Sequence, residues 1–264
     1  MYTSPFLMQF FLDILRSSPG VPAWSFAVLC ALSFLTSAIS AAIGLGGGAA
    51  LVAVMASILP PTAIIPVHAV VQMGANFSRA IMMRRDVLVT WMPGFVTGTL
   101  VGAMLGGQIV FALPNYILQG IIGIFVLYAV WGPKIGAISP SHFSFFGVGA
   151  VASFATMFAG ATGPLIAPFV NASTAHRKMT VATHAAFMSW QHGLKILVFG
   201  FLGFAFGPYI PLILLMIVFG IAGTWAGRFI LNWISEGVFR AGFNVILTGL
   251  AIRLLYQAVT DFNK

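Results

Sequence analysis

Acidic side chains are nearly absent: Asp and Glu number 4 in 264 residues, beside 12 Lys and Arg. Charged residues make up 6% of the chain, where a soluble domain carries about 25%. So few charges cannot tile a water-exposed surface, which excludes a soluble enzyme and a disordered tail. The formal net charge of +8 reflects missing acids rather than a basic arm. With no Lys/Arg-rich segment to grip phosphates, nucleic acid is excluded as a partner. There is one cysteine, Cys30, so neither a disulfide framework nor a CxxC site can be built. It falls in the first hydrophobic run and reads as a small buried residue. No metal or cofactor is expected: His184 and His192 lie two turns apart with no carboxylate near them, a poor ligand set. No strand precedes the glycine-rich stretch, so a dinucleotide fold is unsupported. Asp13 and Arg16 follow rather than precede the apolar stretch 6–12, which is the wrong order for a signal peptide.

What is present is apolar: 60% of the chain is hydrophobic and its mean hydropathy is +1.04. At about 20 residues per span, the chain crosses a bilayer roughly eight to ten times. The runs read 23–43, 49–59, 64–83, 88–111 and 116–131, then 143–159, 164–172, 179–201, 209–231 and 240–258. The expected fold is an all-α polytopic membrane protein. A tail or interfacial segment at 1–22 leads into a five-segment transmembrane repeat at 23–132. A linker at 133–141 joins it to a second five-segment repeat at 142–264. The second run of each series is too short to cross a hydrocarbon core of about 30 Å, so each reads as a half-helix. Broken backbone at that depth must be buried in protein or line a cavity.

The series match at one offset. At 116, Gly44 falls on Gly160, Gly47 on Gly163, His68 on His184, Ala69 on Ala185, Asn76 on His192 and Arg79 on Lys195. Farther on, Gly98, Thr99 and Gly102 match Gly223, Thr224 and Gly227 at 125, implying about nine residues gained near 200–208. Internal repeats are a build plan of secondary transporters, with the site at the repeat interface. If all five runs of each copy cross, Arg84, Arg85, Lys134, Arg177, Lys178, Arg228 and Arg240 share one face, against Arg16 and Lys264 on the other. If the short runs are re-entrant, the same residues divide five against four. The asymmetry favours five crossings and inverted repeats with both termini outside.

On run 64–83, His68, Gln72, Asn76 and Arg79 share one helical face; His184, Met188, His192 and Lys195 repeat it on 179–201, with Thr180 and Gln191 beside them. Facing lipid, such groups would cost a few kcal/mol each. They should face the interior, where donors without a counter-ion want an anion; Arg suits carboxylate, sulfonate or phosphate. Either base could instead snorkel to headgroups, and each His alone could be a packing residue. Either His68 or His184 could carry a coupling proton. The breaks at Gly44–Gly48 (Gly-Leu-Gly-Gly-Gly) and Gly160–Pro164 (Gly-Ala-Thr-Gly-Pro) precede the short runs. Each presents free N–H groups at a half-helix start, where the dipole favours an anion. Gly46, Gly47, Gly48, Thr162 and Gly163 thus join the candidate binding set. Gly98, Gly102, Gly106, Gly223 and Gly227 read as helix packing instead.

The two glycine breaks, the Pro60-Pro61 corner and the His68–Asn76–Arg79 helix resemble the sulfite exporter TauE/SafE family, also grouped as toluene sulfonate uptake permeases, over about 23–258. The resemblance implies a bacterial inner-membrane transporter of small sulfur-containing anions: sulfite, sulfoacetate or another organosulfonate. The second copy lacks the triple glycine and has Met188 where the first has Gln72, so the halves are not expected to bind identical things. Substrate, direction, coupling ion and oligomeric state, a homodimer included, stay open at this level. An anion channel, a non-transporting assembly subunit and a membrane enzyme are the rivals. The last is disfavoured because Asp13, Asp86, Glu236 and Asp261 all fall at loops or ends.

Overall fold

The computed structural model describes residues 9, 13, 17–43, 46–110, 112–133, 139–230 and 236–263, without the side chains of 43, 228–230 and 236–243. The expected interfacial segment at 6–16, apart from 9 and 13, lies outside these residues, as do Gly44, Leu45, Lys134 and Lys264 and the side chains of Arg228, Glu236 and Arg240.

Among the described residues, α-helices run in chain order as α1 (Ala23–Ile43), α2 (Gly47–Met55), α3 (Pro61–Met82), α4 (Met92–Val110), α5 (Asn115–Trp131), α6 (His142–Ala159), α7 (Gly163–Ser173), α8 (Arg177–Phe201), α9 (Ile210–Ile230) and α10 (Glu236–Phe262). Their boundaries follow local chemistry. Pro60 precedes α3 and Pro61 opens it, where a missing N–H costs nothing. Ser141 and Ser144 form a reciprocal capping box at the start of α6. Gly46 (φ 94°) and Gly160 (φ 78°) sit in the left-handed region that glycine tolerates; each stands just before its short helix. At 9 and 11 residues, α2 and α7 reach only about 13–17 Å, as the short runs anticipated.

Among the described residues, five helical stretches are long and apolar enough to cross a membrane: Ala23–Ala42, Met92–Val110, His142–Ala159, Gly207–Gly227 and Asn244–Phe262. Large apolar side chains point outward from them, including Met104, Val151, Leu214, Val218, Val245 and Ile246. In water such a belt would drive aggregation; against hydrocarbon it is the required surface. The chain is a multi-pass helical membrane protein.

The most extensive pairings join α4 to α6, α1 to α9, α5 to α10 and α3 to α8. The first two are made close by glycine. A Cβ at Gly98 would collide with the Phe146 carbonyl, and one at Gly102 with that of Ala150. Gly106 sits over Phe154 and Met157. Across the molecule, Gly223 abuts the Phe34 carbonyl and Gly227 that of Ala38. These are small-xxx-small contacts, where association depends on backbone approach rather than on a hydrophobic difference from lipid. Ser33 on α1 adds a hydrogen bond of 2.6 Å to the Met216 carbonyl on α9. At the loop end of α8, Arg177 donates to the Ala42 carbonyl near the end of α1.

Candidate functional site

The helices α3 and α8 pack against each other with their polar stripes buried. His68, Gln72, Asn76 and Arg79 on one, and His184, Met188, Gln191, His192 and Lys195 on the other, are all inside. His68 and His192 meet edge to face with ring centroids 5.7 Å apart.

Each stripe is tied to its own short helix through a histidine. His68 Nε2 lies 3.0 Å from the Gly48 carbonyl, and His184 Nε2 lies 3.3 Å from that of Gly163. A carbonyl only accepts, so Nε2 carries the hydrogen in both rings. Among the described residues, the Nδ1 atoms of His68, His184 and His192 are buried without a hydrogen-bond partner. On α3 a polar chain runs along the face. Arg79 donates through Nη1 to Asn76 Oδ1 at 3.2 Å. Asn76 Nδ2 donates to the Gln72 carbonyl at 2.8 Å and to Gln72 Oε1 at 3.2 Å. This sets the Gln72 amide with its oxygen toward Asn76. Arg79 Nε is buried and has no acceptor among the described residues.

These groups border a cavity of about 30 Å³, to which the first half supplies Ser40, Gly46, Gly48, Gln72, Asn76 and Arg79, and the second Gly163, Pro164, His184, Met188 and His192. Among the described residues, no carboxylate lines it. Its volume matches one or two waters. The start of α2 opens onto it. The first-turn amides of a helix have no intrahelical acceptor, and here Gly48 and Ala49 of that turn border the space beside Arg79. The matching turn of α7 offers less, because Pro164 has no N–H.

The structure thus gathers seven of the expected binding residues at the cavity wall among the stripes and first break, namely Gln72, Asn76, Arg79, Gly46, Gly48, His184 and His192, with Gly163 from the second break. It places four elsewhere. His68 stands behind Gly48, bonded to its carbonyl. Gly47 is packed on α1, where a Cβ would strike the Thr36 carbonyl and Ser40. Thr162 donates to the Ala152 carbonyl at 3.1 Å and lies 3.2 Å from Gln191 Oε1. Lys195 donates to Thr156 Oγ1 at 2.8 Å and to the Gly160 carbonyl at 2.7 Å. Neither base snorkels: Arg79 is 3% exposed and Lys195 0%. Ser40 and Thr156 were not singled out from sequence, though the offset of 116 lays one hydroxyl on the other.

No curated protein and no solved structure matches this chain. The family model described as Sulfite exporter TauE/SafE matches residues 29–254, most of the chain, and the chain belongs to that family of membrane transporters, not to an enzyme family.

Proposed function

We propose that this protein carries a small sulfur-containing anion, sulfite or an organosulfonate, across a bacterial inner membrane by alternating access. The observation that carries the reading is the cavity between α3 and α8. It combines the buried guanidinium of Arg79, with Nε unpartnered among the described residues, the first turn of α2, and no carboxylate among the described residues. In such a site the anion accepts charge-assisted hydrogen bonds from Arg79 and lies at the positive end of α2. Gln72, Asn76, His184 and His192 orient it, and the small residues of both breaks let it approach the backbone.

The helix pairings support two inverted five-helix repeats, α1–α5 and α6–α10. First and fourth members exchange partners, α1 with α9 and α4 with α6, while third pairs with third and fifth with fifth. This is the pattern of a two-fold axis. His68 meets His192, and Asn76 shares the cavity with His184, an order that runs α3 and α8 in opposite directions. The glycine contacts favour a different register from the one read off the glycines alone. Gly102 on Ala150 corresponds to Gly223 on Phe34, and Gly106 on Phe154 to Gly227 on Ala38. That sets the fourth helices at an offset of 121 rather than 125, with about five residues gained between them.

In proteoliposomes the purified protein should take up labelled sulfite saturably and show counterflow, accelerated entry of label against unlabelled sulfite inside. Flux without saturation or counterflow would make it a channel, and no flux for sulfite, sulfoacetate or another sulfonate would remove the reading. Topology gives an independent check. A C-terminal alkaline phosphatase fusion, active only outside the cytoplasm, should be active; an active cytoplasmic-only reporter at the same place would sink the inverted arrangement.

A further inference from the structure

Lys195 is a buried base that the cavity does not use. Its ammonium is bonded to two neutral oxygens, Thr156 Oγ1 at 2.8 Å and the Gly160 carbonyl at 2.7 Å. Thr156 Oγ1 itself lies 3.1 Å from the same carbonyl. These oxygens stand where α6 ends. Gly160, at φ 78°, turns the chain out of the helix, and the negative end of the helix dipole collects there. A hydroxyl and a backbone carbonyl at the C-terminal end of a broken helix are the ligand types that hold Na⁺ in broken-helix carriers. Two hard oxygens without a carboxylate suit a monovalent ion.

We propose that Thr156 Oγ1 and the Gly160 carbonyl form a monovalent-cation site that the chain fills with its own Lys195 ammonium, so that the cation ordering this break is tethered instead of transported. Lys195 is then a positioning residue. By holding Gly160 it sets Ala161, Gly163 and Pro164, which form one wall of the cavity. The two copies divide the work. Arg79, its counterpart at the offset of 116, faces the cavity and bonds Asn76, while Lys195 faces the break. The inference deepens the transport reading, but the site itself is testable without transport.

The test uses the purified full-length Lys195→Gly variant, which removes the ammonium and leaves room for a small cation. Titrated with methylammonium chloride, it should show a saturable rise in Tm of about 3 °C or more, with no rise in choline chloride at equal ionic strength. Wild type and Lys195→Met, whose apolar stem refills the space, should not respond. No methylammonium-specific rise in folded Lys195→Gly overturns the proposal. Should that variant not fold, the wild type decides: its Tm should be equal in sodium and choline chloride, and a sodium-specific stabilisation overturns a site already filled. A positive methylammonium result with no sulfite flux in the wild type would defeat the transport reading alone.

Discussion

Replacing Arg79 by Met should lower sulfite binding and uptake by about 100-fold or more while leaving Tm unchanged or raised. The two effects have opposite signs for one reason. A guanidinium held inside the membrane with a single amide acceptor and a vacant Nε is an uncompensated charge. Burying it costs several kcal/mol, and an apolar isostere removes that cost at the expense of one bond to Asn76. An anion arriving in the cavity supplies the missing partner. Two charge-assisted hydrogen bonds contribute about 1.5–3 kcal/mol each, and each 1.4 kcal/mol is about tenfold in affinity. Arg79→Lys keeps the charge but loses the planar fork, so it should fall between, about tenfold below wild type. The measurements are a thermal-shift titration with sulfite, which should stabilise wild type and not Arg79→Met, and initial uptake rates in proteoliposomes. Near-normal uptake by Arg79→Met would take this residue out of the site.

The largest structural effect should come from a position far from the cavity. Gly102→Leu is expected to abolish recovery of monodisperse protein, a loss of at least about 3 kcal/mol by overpacking. Even a methyl group at Gly102 would overlap the Ala150 carbonyl, a backbone atom that cannot turn aside. Relief requires α4 to withdraw from α6 along its length, and in lipid no hydrophobic gain compensates the lost contact. Gly147→Leu is the control: on α6, but with nothing within 4 Å of an added Cβ, it should be purified in normal yield. Size-exclusion profiles in detergent compare the two, and a normal profile for Gly102→Leu would show that the helices tolerate separation.

Much of this arrangement is readable from composition and spacing, because a membrane leaves few options. Polar groups at helical spacing on α3 and α8 had to face inward, and they do. Three successive glycines beside a run too short to span marked a break, and Gly46 provides it with a positive φ, while Gly47 and Gly48 open the nine-residue helix. Two things were not readable. Matching Arg79 to Lys195 says that the positions correspond, not what each side chain reaches; that depends on a carbonyl freed at Gly160, which no spacing shows. For the proposed repeats, the register of the fourth helices was hidden for another reason. Their glycines recur every four residues, at 98, 102 and 106 and again at 223 and 227. A slip of one turn therefore lays glycine on glycine just as well, and only the opposing carbonyls tell the alignments apart.

The pairing of α1 with α9 also sets a schedule for synthesis. The first span leaves the ribosome more than 160 residues before its partner begins at Ile210. At about 5–20 residues per second, it stands in the bilayer on the order of ten seconds or longer without the neighbour that covers Ser33 and receives the backbone of Phe34 and Ala38. Throughout that interval a polar, glycine-seeking face is open to any other nascent helix or insertion chaperone. The last helices to be made complete the packing of the first, so a truncation after α8 would leave the N-terminal span, and not only the missing end, without a place.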